Sequence, residues 1–421
     1  MRKFFISVLS FIFAGAFVFS ASSCEFFSGF APNSQSQQES SPNDSDDLGN
    51  SSTPNKPNDS SGNSSTPNNP NDSSGNSGTP NKPNENLPEL DENASEGLKY
   101  TLSNDKSAYE VAGIGTCADT DIVISSAYKG LPVTTIRVGA FNECENVTSI
   151  SIPDSVTTIY SYAFSECYGL TSMTIPDSVT TLGTYVFNNC RRLTSVKLPS
   201  GITAISGSTF RGCRSLTDVT IPESVTTIEE YAFAVCENLT TLTIPQSVTA
   251  IGNYAFANCH GFTSFVLPEG VIKLGNYVFY DCANLKNISI PNSLTTIGNW
   301  IFNKCNKLQY TVKGELNYLG NENNPYLYLD TTKTATNANI EYGCKFIGSG
   351  AFQVCTNLSS VTIPNSVIFI GEYAFSSNKQ LTSLSFQGTA SEWNAIVKKN
   401  NWAFMVSFRQ IICSDGTVSL Y

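Results

Sequence analysis

The sequence predicts a strand-rich repeat solenoid of the α/β type, about ten coils of 23 residues with parallel sheets and atypical end caps. Three observations predict it. A cysteine returns at Cys144, Cys167, Cys190, Cys213, Cys236, Cys259, Cys282 and Cys305, then after a longer interval at Cys355, with Asn378 in its place one period on. A phenylalanine keeps the same interval at 141, 164, 187, 210, 233, 256, 279, 302, 352 and 375, which predicts an internal spine. A proline recurs at 153, 176, 199, 222, 245, 268, 291 and 364, where it ends a short strand by removing a ladder donor.

Each unit holds two strand signals. The first is an alternating segment such as Leu170 to Ile175, and the second is a shorter one such as Val179 to Leu182. A turn follows, often with glycine, and then the segment that carries Phe and Cys. Stacking such coils places the cysteines in one column. The column reads as buried thiols that act as small apolar residues, each with a weak S–H group within reach of the turn backbone. Disulfides between adjacent rungs are the alternative, disfavoured because the Cβ directions would run nearly parallel. A column does not converge on a point, so it is not a metal site.

Before the array the chain changes character twice. Residues 1–23 read as a signal peptide, a short basic start and an apolar run ending in small residues ahead of Cys24. That context marks Cys24 as a lipid anchor, although Ala21 stands where the usual lipobox has Leu. Residues 24–97 read as a disordered Ser/Asn/Pro tether, with a 13-residue unit running Asn50 to Gly62 and again Asn63 to Gly75. The solenoid is expected over 98–387, opening on strands near Lys99 to Leu102 and Tyr109 to Val111. An irregular coil about four residues too long occupies roughly 306–346, from which a loop is expected to leave the cylinder. A C-terminal cap covers 388–421, with a short helix from Glu392 to Val397 capped by Ser391. Trp402, Phe404 and Phe408 are expected to cover the last coil.

The unit Leu-Thr-x-Val-x-Ile-Pro-x-Ser-Val-Thr-x-Ile-Gly-x-Tyr-Ala-Phe-x-x-Cys closely resembles the 23-residue leucine-rich repeats of the BspA-like, treponemal-type class of bacterial surface proteins. The resemblance runs from about Leu98 to Tyr421. It implies a leucine-rich repeat array on a cell surface, engaging host matrix or plasma proteins, other bacteria or epithelial cells.

Composition narrows function further. With 24 basic and 35 acidic side chains the formal charge is −11, so no cationic excess exists to displace counterions from nucleic acid. The single histidine, His260, lies in a column that varies freely, beside a ladder cysteine. No phosphate-binding glycine loop or clustered metal-ligand spacing accompanies it, so no catalysis, metal or cofactor is expected.

Binding candidates lie in the outward columns. Thr and Ser between the strand hydrophobics, such as Thr148, Thr171 and Thr217, form hydroxyl columns suited to an exposed strand face and to docking. A second column holds Tyr162, Tyr185, Tyr231, Tyr254, Tyr277, Trp300 and Tyr373, either half-buried packing or a platform for sugars or proteins. Arg191, Arg192, Lys197, Arg211 and Arg214 break the acidic balance, and Arg191 and Arg214 would repel each other unless Glu237 or an acidic partner intervenes. Tyr310, Tyr326 and Tyr328 mark the irregular coil.

The expected protein is an exported, lipid-anchored recognition protein, adhesin-like, facing the outer surface or periplasm. Its expected partners are host or bacterial surface proteins. The alternatives are a carbohydrate-binding envelope protein that uses the aromatic column, and a structural envelope protein with no external ligand.

Overall fold

A computed structural model describes residues 90–321, 324–327 and 334–420. The signal peptide, Cys24, the tether up to 89 and Tyr328 lie outside these residues.

The solenoid is strand-built, with two parallel sheets running along it. In the first sheet, Ser172–Thr174, Ser195–Lys197 and Asp218–Thr220 pair in parallel, one period apart, with Val196 opposite both Met173 and Val219. The second sheet repeats this with two-residue strands, for example Thr227–Ile228 between Ala204–Ile205 and Ala250–Ile251. Short strands follow from the punctuation: proline closes the first, and the turn closes the second. Between the sheets the phenylalanines stack coil on coil, 5.2 to 5.7 Å apart from Phe141 to Phe279, and all are fully buried. Each contributes roughly 1.5–3 kcal/mol of burial.

At the N-terminal end, Lys99–Leu102 forms an antiparallel hairpin with Tyr109–Gly113, which in turn pairs in parallel with Leu131–Ile136. The first edge of the array is therefore covered, as a solenoid end requires.

In the irregular coil the extra residues go into an antiparallel meander of Thr311–Lys313, Leu316–Asn321 and Asn324–Leu327. Its last strand rejoins the second sheet beside Phe346–Ile347, so these residues pair into the sheet system, where the sequence suggested a departing loop. Here the core divides into two clusters, one running from Leu98 to Leu308 with Leu319, Phe346 and Phe369, the other from Leu316 to Cys413.

The C-terminal cap corrects two expectations. The helix is Ala390–Ala395 and its N-cap is Thr389, not Ser391. Thr389 accepts from the Glu392 amide while the Glu392 carboxylate accepts from the Thr389 amide, a reciprocal capping box that Ser391 is too close to Glu392 to make. Trp402 and Phe408 pack on the last core, but the Phe404 side chain is 52% exposed. Its backbone continues the coil-to-coil ladder by accepting from Ser377 N, which leaves the ring outside.

Candidate binding surface

The inward columns explain the outward ones. Every ladder thiol from Cys167 to Cys305 donates to the carbonyl of the phenylalanine 26 residues earlier, at 3.0 to 3.2 Å. All described cysteines are free. Burial pushes the Cys167 and Cys259 thiols up to about 12, and Cys213 and Cys236 move in the same direction. These groups stay protonated and inert, which suits a donor and disqualifies a nucleophile. Asn378 replaces the thiol with an amide that donates to the carbonyls of Phe352 and Phe375, at 2.7 and 2.9 Å.

A serine ladder, which column patterning alone did not single out, does similar work on the other side of the proline. In the Pro-x-Ser step, Ser155, Ser178, Ser224, Ser247 and Ser293 each donate to a carbonyl of the preceding coil, at 2.6 to 2.8 Å. The signal was the recurrence of serine at one fixed offset from proline.

Outside, part of the threonine column is also held internally. Thr194 Oγ1 donates to the Thr171 carbonyl at 2.9 Å, and Thr217 Oγ1 to that of Thr194 at 3.3 Å. The hydroxyls keep free acceptor capacity and face solvent, so the sheet is polar without being unsatisfied. A cleft of about 740 Å³ lies over this face near Ser149, Ser151, Ser172, Thr174, Asp177 and Lys197. The Ser200 backbone N–H donates to the Asp177 carboxylate and holds it below the usual carboxylate range.

The aromatic column is half-buried and stacked. Tyr162 lies 4.7 Å from Tyr185, Tyr231 4.9 Å from Tyr254, and Tyr254 4.8 Å from Tyr277, all nearly parallel. All of these tyrosines, with Trp300 and Tyr373, adopt φ between 54 and 61°. Bulky side chains rarely occupy that left-handed region, at a strain of roughly 1–2 kcal/mol per residue. Where the column lacks an aromatic, the residue is Gly139, Ser208, Gly350 or Asn401 in the same conformation. The turn therefore dictates the backbone, and ring stacking offsets its strain in the other coils. Burial pushes the Tyr254 hydroxyl up to about 12.

Of the five basic residues, Arg191 and Arg214 meet clear partners within the protein. Arg191 stacks over the Tyr168 ring at 4.9 Å, and Arg214 pairs with Glu237 at 3.1 Å. Arg192 and Lys197 are exposed, and Arg211 is half-buried. Lys197 lies in the first sheet opposite Thr174 and Thr220. Tyr310 packs against the first core, and Tyr326 falls within the last strand of the meander. Thus Arg191, Arg192 and Arg214 sit around adjacent turns, Lys197 on the sheet face, and the tyrosines of the irregular coil elsewhere. Among the described residues no group of His, Cys, Asp or Glu is placed to hold a metal, and no helix is long and apolar enough to cross a membrane.

A two-sheet parallel solenoid whose turns repeat every 23 residues is a leucine-rich repeat protein. The BspA type leucine rich repeat region matches residues 134–263, 226–323 and 324–410, in six copies, and the chain belongs to that family. Solved structures similar to it include a leucine-rich repeat protein from Bacteroides ovatus, 21% identical over 74% of this chain and 98% of its own, TM-score 0.42. A leucine rich cell surface protein from Faecalibacterium prausnitzii is 23% identical over 72% and 97%, TM-score 0.42. The T. pallidum leucine rich repeat protein is 26% identical over 51% and 88%, TM-score 0.39. No curated protein matches.

Proposed function

We propose that the protein is exported, anchored at the cell surface through Cys24, and acts without catalysis by binding host or bacterial surface proteins on the exposed first sheet. The observation that carries this reading is a preformed polar face, several of whose hydroxyls are held by the preceding coil, as Thr194 is by Thr171. Such a face binds with little ordering cost, through many modest contacts. Family membership and the cell-surface description of the F. prausnitzii protein agree with an interaction role at a surface. The thiol ladder, consumed by carbonyls, argues against cysteine chemistry.

The test is a binding screen of immobilised host-matrix and bacterial surface proteins with the full chain and with a Thr174→Arg/Thr220→Arg variant. Binding that is lost in the variant supports the reading, and binding that is unchanged removes the first sheet as the site. Anchoring is tested separately by Cys24→Ala, expected to release the protein from the membrane fraction. A second reading, carbohydrate binding, is favoured by one observation, the outward tyrosine stack, and a glycan array decides it.

A further inference from the structure

The first sheet is interrupted in mid-array, at a coil where the second sheet, itself broken between Leu182 and Ala204, is continuous. Thr240 to Ile244 would be its strand in the fifth coil, between Asp218–Thr220 and Ser264–Val266, yet no strand forms there. Elsewhere the coil-to-coil bond at this position is regular: Thr194 N donates to Thr171 O at 2.8 Å, Thr217 N to Thr194 O at 2.9 Å and Lys286 N to Thr263 O at 2.8 Å. Among the described residues, Thr240 to Ile244 make no such bond in either direction. On the opposite side the ladder runs through the same coils, with Thr227 opposite Ala250 and Ala250 opposite Lys273.

The sequence holds a cause. The two inward positions of this strand are Leu170 and Met173, Leu193 and Val196, Leu216 and Val219, Leu239 and Leu242, but Phe262 and Phe265 in the sixth coil. Those rings cluster with the spine: Phe262 to Phe265 at 4.9 Å, Phe256 to Phe265 at 5.1 Å and Phe265 to Phe279 at 5.0 Å. Two extra rings need more depth than a coil of aliphatics has, and an overfilled core answers by shifting backbone. The fifth and sixth coils still meet at the turn, where a Cβ on Gly261 would lie 2.5 Å from the Leu239 carbonyl. Beyond that turn no strand pairing joins them on this side, and Leu242 is only partly buried.

We infer that Phe262 and Phe265 wedge the first sheet open at Thr240 to Ile244, making a flexion point hinged on the second sheet, which runs unbroken there from Ala204 to Leu274. The exposed face is thereby divided into two panels, Ser172–Thr220 and Ser264–Ser289, whose mutual tilt can change without breaking the spine. The inference stands on packing and does not depend on the docking reading.

Hydrogen exchange on the full chain tests it. Amides of Thr241 to Thr243 should exchange at least about tenfold faster than those of Ser195 to Lys197, since unbonded amides open without unfolding. Equal protection of the two segments would overturn the flexion point. In Phe262→Leu/Phe265→Val the fast segment should slow about tenfold; a folded variant with unchanged exchange removes the wedge. If that variant does not fold, the reverse graft Leu193→Phe/Val196→Phe decides: it should open Ser195 to Lys197, and unaltered protection there counts against the wedge.

Discussion

The coils from Cys167 to Cys305 and the stretches that flank them satisfy the same backbone by different means. In the regular array one solution is copied: a thiol to the phenylalanine carbonyl, a stacked ring, a serine to the coil behind. In the flanks each turn has its own device, an amide at Asn378, a capping box at Thr389, a carboxylate at Asp105 that accepts from Ser103 and Ser107. The difference separates what the fold demands from what repetition merely propagates. A buried donor is demanded at the cysteine position, whereas sulfur is not. A left-handed residue is demanded at the tyrosine position, whereas an aromatic is not.

The largest expected effect lies in the spine. Phe233→Ala removes a ring stacked on two neighbours and should destabilise the protein by about 3–5 kcal/mol in chemical denaturation. Phe375→Ala, near the C-terminal end, should unfold its own end coil first, visible as exchange confined to residues beyond about 350. Global and equal loss in both variants would erase the contrast between array and flank.

The donor rule is tested by exchanging the two solutions. Asn378→Leu should cost about 1–3 kcal/mol, because the Phe352 carbonyl loses a buried partner, while Asn378→Cys should cost about 1 kcal/mol or less. A cysteine variant as damaged as the leucine one would show that the amide does more than donate. Reactivity sharpens the same point. Under native conditions an alkylating agent should modify Cys144, half-buried and without a phenylalanine carbonyl behind it, well before Cys190 or Cys236. Equal labelling, read by mass spectrometry, would mean the ladder opens as a unit.

These comparisons also show what the sequence makes legible. Period and register were readable because a solenoid writes its geometry as spacing, and Asn378 was readable as a stand-in because the frame placed it in the cysteine column. Backbone dihedrals leave no such mark: Tyr254 in a left-handed turn looks like any aromatic, and only the glycines at 139 and 350, the serine at 208 and the asparagine at 401 hint at it. Thr389-x-x-Glu392 carried the capping-box spacing, and the helix start was misplaced by weighing Ser391 without it. For the arginines the one-period offset already put Glu237 within reach of Arg214, while the stacking of Arg191 over the Tyr168 ring is seen only in the folded coils.

The smallest expected effect belongs to the N-terminal hairpin. Hydrogen bonds from the Ser103 and Ser107 hydroxyls, and from the Ser107 amide, lower the Asp105 carboxyl to about 2. Its unfolded value is about 3.9. A depressed folded value means that the turn's stabilisation is fully present above the unfolded value and is lost as pH falls through about 2. Since the group is fully exposed, the array should remain folded while the hairpin loosens. The Ser107 amide resonance, followed by NMR through an acid titration, should therefore move with a midpoint well below the ordinary aspartate value, while the amides of Val196 and Val219 stay unchanged. A midpoint at the ordinary value would mean that the serines do not hold the carboxylate. Concerted movement of the array amides would mean that flank and array share one cooperative unit, against the local character of the flanking devices.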